Sequence, residues 1–123
     1  MAAWTYVVAL PAYRVLEAVV KSTYSPAREL AAPETLGLET RSEFRGAAID
    51  LLDGLPEGTG ALIIDLTATR TVDSAGLGAL MLVQRRAAER RQTVVLRNAN
   101  EELRFLLTLT KMDDLFRLES SYR

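Results

Sequence analysis

The 123-residue sequence predicts a single α/β domain, and three features support this fold class. A short, unbroken apolar run at residues 61–66 is typical of a strand that is buried on both faces of a mostly parallel sheet. From residue 40 onward, segments with helical spacing of apolar residues alternate with runs of strand character. Hydrophobic residues make up 49% of the chain and charged residues 25%, which is enough for one soluble domain with a modest core.

The first 37 residues have the least regular pattern. Residues 4–10 are aromatic and β-branched and predict a strand that ends at Pro11. Residues 13–20 are ambiguous, because Pro11 suits the start of a helix whereas Val15, Val19 and Val20 favour a strand. Residues 21–37 contain two prolines and no clear period, and they predict a loop or an insertion.

The first helix is predicted to follow this loop. Thr40 and Glu43 have the spacing of a capping box, in which each side chain bonds the backbone N–H of the other residue. Gly54 and Pro56 are typical helix terminators. Between these signals, apolar residues recur at the spacing of an amphipathic helix: Phe44, Ala47, Ala48, Leu51 and Leu52.

The second helix is predicted at residues 75–90, after the strand at 61–66 and a polar turn at 67–73. Asp73 and Ser74 are good N-cap residues, so a serine lies at a helix N-terminus just past the carboxyl end of a central strand. Gly76 and Gly78 each cost this helix about 1 kcal/mol relative to alanine. Such glycines indicate close approach by backbone or by a partner, or tight packing on the sheet. The predicted inner side of this helix is Leu77, Leu80, Met81 and Ala88.

The rest of the chain alternates once more between strand and helix. Residues 93–98 predict a strand, Asn100 predicts the cap of a third helix, and residues 116–119 predict a last short strand before a polar tail. The inner stripe of the third helix is predicted to be Leu103, Leu106, Leu107 and Thr110. Four arginines near the end of the second helix fit the negative end of its dipole: Arg85, Arg86, Arg90 and Arg91.

The composition excludes several classes of chemistry. The chain has no histidine and no cysteine, so a Ser-His-Asp triad, thiolate catalysis and disulfides are impossible within it. Ser74 lacks the flanking glycines of a nucleophile elbow, and Met81 replaces the third glycine of a dinucleotide fingerprint. We therefore expect no enzymatic activity, no cofactor and no metal site.

Charge and hydropathy point to a cytoplasmic protein that does not bind nucleic acid and does not insert directly into a membrane. The formal net charge is −1, which argues against general nucleic-acid binding. No apolar run approaches the roughly 20 residues of a membrane span, and the first residues lack the pattern of a signal peptide. The residues alone leave two uses for Ser74: it caps the helix, or it is phosphorylated where a partner docks.

The segment Val72-Asp73-Ser74-Ala75-Gly76-Leu77-Gly78 resembles the signature of the STAS family, specifically of the bacterial anti-sigma factor antagonists. In that signature a strand leads to Asp-Ser, a small residue, Gly, an apolar residue and Gly at the start of a helix. The resemblance covers about residues 36–119. It implies one STAS-like domain with a small mixed sheet of about four to five strands and helices packed largely on one face.

The family also begins with two strands, which favours strands within residues 1–20, with residues 21–37 as a loop or insertion and residues 38–119 as the matching core. One departure from the family lies just before the first helix. A Gly-x-Leu-Asp element is frequent there, but the local sequence, Glu34-Thr-Leu-Gly-Leu-Glu39, lacks the aspartate.

The resemblance implies a function in transcription regulation. In the family the serine directly after the aspartate is the phosphorylation site, which is Ser74 here. Unphosphorylated, the protein would bind a serine-kinase type of anti-sigma factor. A second implied role is that of a non-catalytic scaffold or an accessory subunit of a stress-signalling complex or a transporter, and homo-oligomerisation stays open. The predicted partner-binding residues are Thr69, Thr71, Asp73, Ser74, Ala75, Gly76 and Gly78.

Overall fold

The structure is a computed structural model that describes residues 26–120. The strands predicted within residues 1–20 and the last three residues of the predicted tail lie outside the described residues. The elements in chain order are β1 (Ala27–Ala31), β2 (Thr35–Leu36), α1 (Arg41–Asp53), β3 (Ala61–Asp65), β4 (Thr71–Val72), α2 (Ser74–Glu89), β5 (Thr93–Arg97), α3 (Glu101–Leu109) and β6 (Arg117–Glu119).

Four strands form the main sheet in the order β1-β3-β5-β6, and β2 pairs with β4 in a separate two-stranded ribbon. Within residues 26–120 every strand pair is parallel. The register places Ala27 opposite Ala61 and Ala61 opposite Thr93. The predicted α/β class is confirmed.

The three described helices pack on one face of the main sheet, as the resemblance to the STAS family implied. Side chains of α1, α2 and α3 belong to one core cluster with the same residues of β3 and β5, so the three helices lie on the same side of the sheet. The core between helices and sheet is continuous. Its sheet side comes from Leu62, Ile64, Val94 and Leu96, and its helix side includes Phe44, Ala48, Leu52, Ala79, Leu80, Val83, Ala87, Leu103 and Leu107.

The prediction of a loop over residues 21–37 is wrong for β1 and β2. The β1 sequence, Ala-Arg-Glu-Leu-Ala, contains no β-branched residue and two charged ones, so its local strand propensity is low. The strand forms because its backbone pairs along its whole length with β3, which is a tertiary interaction. Pairing of Thr35 with Thr71 and of Leu36 with Val72 likewise creates β2.

The capping box predicted at Thr40 does not form. Thr40 occupies the N-cap position of α1, but its side chain makes no capping hydrogen bond. The Thr40 hydroxyl instead donates to the carbonyl of Thr35 at 2.7 Å and accepts from the N–H of Gly37 at 3.0 Å. These two bonds stabilise the turn that connects β2 to α1. They also occupy the Thr40 hydroxyl, which a capping box would require.

The predicted inner face of α2 is displaced around the helix. Met81 and Ala88, which were predicted to be buried, are exposed, while Leu80 is buried as predicted. Since α2 packs against α1 as well as against the sheet, its buried side includes small residues that permit close approach. That side consists of Gly76, Ala79, Leu80, Val83 and Ala87. In α3, Leu103 and Leu107 are buried as predicted, whereas Thr110 lies beyond the helix end and is exposed.

Candidate functional site

The β2–β4 ribbon delivers the chain to the N-terminus of α2. Asp73 follows β4 directly, and its backbone N–H donates to the carbonyl of Leu36 at 3.2 Å. Asp73 is extended, and its Oδ1 accepts from the N–H of Gly76 at 2.9 Å. The prediction of a helix start at Asp73 and Ser74 is therefore confirmed, with Asp73 as the residue whose side chain caps α2.

The second carboxylate oxygen of Asp73 ties the β2–α1 turn to this helix end. Oδ2 accepts from the N–H of Leu38 at 3.3 Å. A Cβ at position 37 would lie 2.5 Å from the same oxygen, so a larger residue there would displace the carboxylate from this position. The hydrogen bonds from Gly76 and Leu38 lower the pKa of Asp73, and the positive charge of Arg41 acts in the same direction. The site therefore has a fixed negative charge directly before Ser74.

Ser74 is the first residue of α2, and its side chain is exposed. In the part of the chain that the structure describes, the Ser74 hydroxyl has no hydrogen-bond partner. Asp73 carries out the capping, so this hydroxyl is not needed to satisfy the helix. The sequence left two uses open for Ser74, capping of the helix and phosphorylation. Because Asp73 is the cap, the Ser74 hydroxyl is accessible to a modifying enzyme or a partner.

The two glycines of the motif have different surroundings. Gly76 is buried, and a Cβ there would overlap the carbonyl oxygen of Leu36. Gly78 is exposed, and a Cβ there would meet no atom within 4 Å. The close backbone approach expected from the sequence thus explains Gly76 but not Gly78. Because Gly78 has no side chain, the exposed surface of α2 is flat at this position.

Exposed apolar side chains lie on the same side of α2 as Ser74 and beside the start of that helix. Leu38 is 66% exposed, Leu82 is 40% exposed and Met81 is 36% exposed. Residues 74, 78, 81 and 82 are separated by four, three and one positions, which places them along one side of α2. Leu38 lies beside the start of this stripe, since its N–H bonds Asp73. We call these five residues the Ser74 surface: Leu38, Ser74, Gly78, Met81 and Leu82.

Sequence reasoning missed the apolar part of this surface. Met81 was assigned to the core, and neither Leu38 nor Leu82 was singled out. A helical projection that started from Ser74 would have found Met81 and Leu82. Leu38 was not accessible to such reasoning, because only the hydrogen bond to Asp73 brings it to the helix end.

The residues that the sequence predicted as partner-binding divide into buried and exposed groups. Thr69 is only 6% exposed, and its hydroxyl donates to the carbonyl of Pro33 at 2.8 Å. Thr69 and Gly76 are therefore buried below the exposed part of the site. Ala75 is half-buried. The remaining predicted residues reach the surface: Thr71, Asp73, Ser74 and Gly78.

Two further observations limit the chemistry of the described domain. Within residues 26–120, no three carboxylate side chains lie close enough together to form a group that could hold a metal ion. No helix in this part of the chain combines the length and the apolar character that crossing a membrane requires.

Comparison with known proteins gives a family and two structural relatives. The family model described as "Mlab, STAS domain" matches residues 27–118, and no curated protein matches the chain in sequence. A candidate anti-sigma factor antagonist from Thermotoga maritima superposes with a TM-score of 0.66 at 21% identity, over 77% of this chain and 80% of that one. A sulfate transporter family protein from Wolinella succinogenes gives a TM-score of 0.62 at 16% identity, over 76% of this chain and 75% of that one. At such identities the structural likeness establishes a shared fold.

Proposed function

Because the chain belongs to the STAS domain family, we propose that it is an anti-sigma factor antagonist controlled by phosphorylation of Ser74. With its free hydroxyl, the Ser74 surface binds an anti-sigma factor of the serine-kinase type. Phosphorylation by that kinase ends binding. The observation that carries this proposal is the exposed Ser74 hydroxyl, which has no partner within residues 26–120 and lies on the same side of α2 as the exposed apolar side chains of Met81 and Leu82.

The Ser74 surface has the features of a protein-docking site. Leu38, Met81 and Leu82 offer apolar area whose burial by a partner is favourable at roughly 25 cal/mol per Å². Gly78 has no side chain, which lets a partner backbone or side chain come close to α2. The apolar residues of the Ser74 surface resemble the core of a protein interface, and the polar Ser74 at one end resembles its rim.

The charge next to Ser74 explains how phosphorylation would act as a switch. A phosphate adds about −1.5 to −2 charges beside Asp73, whose pKa is already lowered and which is therefore ionised. In the free protein the N-terminus of α2 favours this negative charge, so the fold tolerates the modification. Burial of the phosphate against a partner that fits a neutral hydroxyl costs several kcal/mol. Phosphorylation thus destabilises the complex with the partner but does not destabilise the fold of the domain.

The first test is the intact mass of the protein isolated from its native cells, with and without phosphatase treatment. We expect a phosphate-sized mass increase that phosphatase removes and that a Ser74→Ala variant lacks. A phosphate that persists in Ser74→Ala would assign the modification to another residue. The absence of any modified species during growth, starvation and stress would contradict the switch.

The second test compares partner capture by two matched variants. Ser74→Asp places a negative charge in the first turn of α2, and Ser42→Asp places one in the first turn of α1 at another exposed serine. We expect wild type and Ser42→Asp to capture the same protein and Ser74→Asp to lose it. We also expect the captured protein to phosphorylate wild type with ATP. Equal capture by Ser74→Asp and wild type would refute the proposal.

A second candidate function is an accessory domain of a membrane transporter. The structural likeness to the sulfate transporter family protein favours it. Under this alternative the Ser74 surface docks on a transport protein, and Ser74 remains unmodified. A stable complex in the membrane fraction, with Ser74 unphosphorylated in all conditions, would support this function over the switch.

A further inference from the structure

The N-termini of two helices lie close together at the proposed phosphorylation site. α1 begins at Arg41, and α2 begins at Ser74. The N–H of Leu38 donates to Oδ2 of Asp73 at 3.3 Å, and a Cβ on Gly37 would lie 2.5 Å from that oxygen. The turn before α1 therefore lies against the residue before α2. The backbone N–H of Arg41 donates to the carbonyl of Gly37 at 2.8 Å, so Arg41 is one helical turn away from this contact.

The side chain of Arg41 starts out towards this contact. In an α-helix each Cα–Cβ bond is tilted towards the N-terminus, so the first residue of α1 directs its side chain back towards the turn at residues 37–40. The charges agree with this geometry. The hydrogen bond from the N–H of Gly76 is the largest cause that lowers the pKa of Asp73, and the positive charge of Arg41 acts in the same direction. Since Ser74 follows Asp73 directly, a phosphate on Ser74 would lie within the range of the same positive charge.

Arg41 has no evident role in holding the unmodified domain together. Its side chain is exposed, and within residues 26–120 it makes no hydrogen bond and no close ion pair. By contrast, Arg70, directly before β4, pairs with Glu34 at 3.4 Å. The position of Arg41 is also unfavourable for α1, because a cation in the first turn faces the positive end of the helix dipole. Neither an ion pair nor helix stability therefore accounts for an arginine at this position.

We propose that Arg41 binds the phosphate group of phosphorylated Ser74 and holds the modified residue against the domain. This inference rests on the proposed phosphorylation of Ser74. Arginine suits the role, because its planar guanidinium group can donate two parallel hydrogen bonds to a phosphate and stays charged at every physiological pH. The pair forms only after modification, since the neutral hydroxyl of Ser74 offers no charge that attracts the guanidinium group.

The charge balance around Ser74 makes Arg41 important for the modified state. A phosphate adds about −1.5 to −2 charges next to the ionised Asp73, and the exposed Glu39 of the turn before α1 adds another negative charge. α2 has no charged residue before Arg85, which lies near its other end. The cation that can offset this concentration of negative charge therefore comes from the start of α1. Pairing with Arg41 makes the phosphorylated domain more stable than it would be without this residue.

The test measures the phosphate directly and requires no kinase. Phosphoserine is incorporated at position 74 during protein synthesis, and phosphorus NMR follows the second ionisation of its phosphate as the pH changes. A cation close to the phosphate favours the dianion and lowers the midpoint of this titration. Arg41→Gln removes the proposed cation, and Arg85→Gln removes an exposed arginine near the far end of α2. Both variants change the net charge equally, and both positions are exposed, so the fold is retained.

We expect the titration midpoint of Arg41→Gln to lie about 0.5 pH unit above that of the phosphorylated wild type. Arg85→Gln should stay within about 0.1 pH unit of wild type, because screening by salt removes the effect of a distant exposed charge. Arg41→Lys keeps the charge but loses the paired donors, so its midpoint should lie between those of wild type and Arg41→Gln. Equal midpoints for wild type and Arg41→Gln, or the same rise in Arg41→Gln and Arg85→Gln, would overturn the proposal.

This test and the test for phosphorylation in cells can fail independently. A rise confined to Arg41→Gln, together with no phosphate on the protein from native cells, would support the Arg41 pair and refute the proposed switch. A phosphate on Ser74 in native cells, together with a midpoint that Arg41→Gln does not change, would support the switch and refute the Arg41 pair.

Discussion

The Cα atom of Gly76, in the first turn of α2, lies so close to the carbonyl oxygen of Leu36 in β2 that a side chain there would overlap this oxygen. The contact sets the distance between the β2–β4 ribbon and the helix N-terminus. Two residues later, Gly78 faces open space. One short motif therefore contains a glycine that the fold requires and a glycine that the fold does not.

Alanine substitution should separate these two glycines. Gly76→Ala forces β2 away from α2, and we expect the free energy of unfolding to fall by about 1–3 kcal/mol or more. Gly78→Ala replaces an exposed helical glycine and should raise it by up to about 1 kcal/mol. Urea unfolding followed by circular dichroism measures both. Equal effects would show that the Leu36 contact does not constrain position 76.

Gly78→Ala also tests the Ser74 surface independently of stability. If a partner approaches α2 closely at this point, the stabilised variant should bind that partner more weakly than wild type does. Thr108→Ala is a suitable control, since it is an exposed change on α3, outside the Ser74 surface. Unchanged partner affinity in Gly78→Ala would place the contact elsewhere.

Asp73 should make stability depend on pH in the acid range. Its pKa is lowered below the ordinary value of about 3.8, so the folded state gains stability above that value and loses it as the pH falls through the lowered pKa. Asp73→Asn keeps a good N-cap but removes the charge, and it should flatten the acid limb of the stability profile.

Asp114→Asn, an exposed change in the turn after α3, is the control for the loss of one carboxylate. Part of the acid limb should remain in Asp73→Asn, because hydrogen bonds from Thr67 also lower the pKa of Asp65. An unchanged limb in Asp73→Asn would mean that the capping bond is absent in solution.

Gln92 should be one of the most important polar residues for stability. It is buried, and its Nε2 donates towards the carbonyls of Leu52, Pro56 and Leu55 at 3.0, 3.2 and 3.3 Å. Gln92→Ala removes the donor to the carbonyl of Pro56, whereas the carbonyls of Leu52 and Leu55 keep bonds from the N–H of Leu55 and from Arg90. We therefore expect a loss of about 1 kcal/mol.

Gln84→Ala provides the comparison for Gln92→Ala. Gln84 is half-buried in α2, and the Oε1 atoms of both Gln84 and Gln92 are buried without a hydrogen-bond partner within residues 26–120, so the comparison tests the bonds from Nε2 of Gln92. We expect a much smaller change in the urea midpoint for Gln84→Ala than for Gln92→Ala. A larger change for Gln84→Ala would contradict the role assigned to Gln92.

Arg97 should stabilise the sheet through its pairs with Glu119 and Glu29. Arg97→Met removes both pairs, and we expect a loss of about 1 kcal/mol that becomes smaller at high salt. Arg70→Met is the matched control, because the Arg70–Glu34 pair is largely exposed, and it should change stability by no more than about 0.5 kcal/mol. A loss in Arg97→Met that does not depend on salt would point to packing of the side chain and not to its charge.

Local signals in the sequence predicted some elements of the fold correctly. The strand at residues 61–65, the caps at Asp73 and Asn100 and the start of α2 all depend on a few neighbouring residues, and the structure has each of them. β1 could not be predicted, because its composition is poor for a strand and only its pairing with β3 makes it one. The Thr40 hydroxyl was misassigned because Thr35 and Gly37 compete for it.

The sequence by itself determined an α/β domain in which an aspartate caps a helix and a serine follows it, because strand character, helical period and capping depend on residues close in the chain. Tertiary structure decided that all helices share one face, since this follows from strand order. It also decided that Gly76 is buried and Gly78 is open, and that Leu38 joins the Ser74 surface. These features depend on contacts between residues far apart in sequence, which periodicity does not encode.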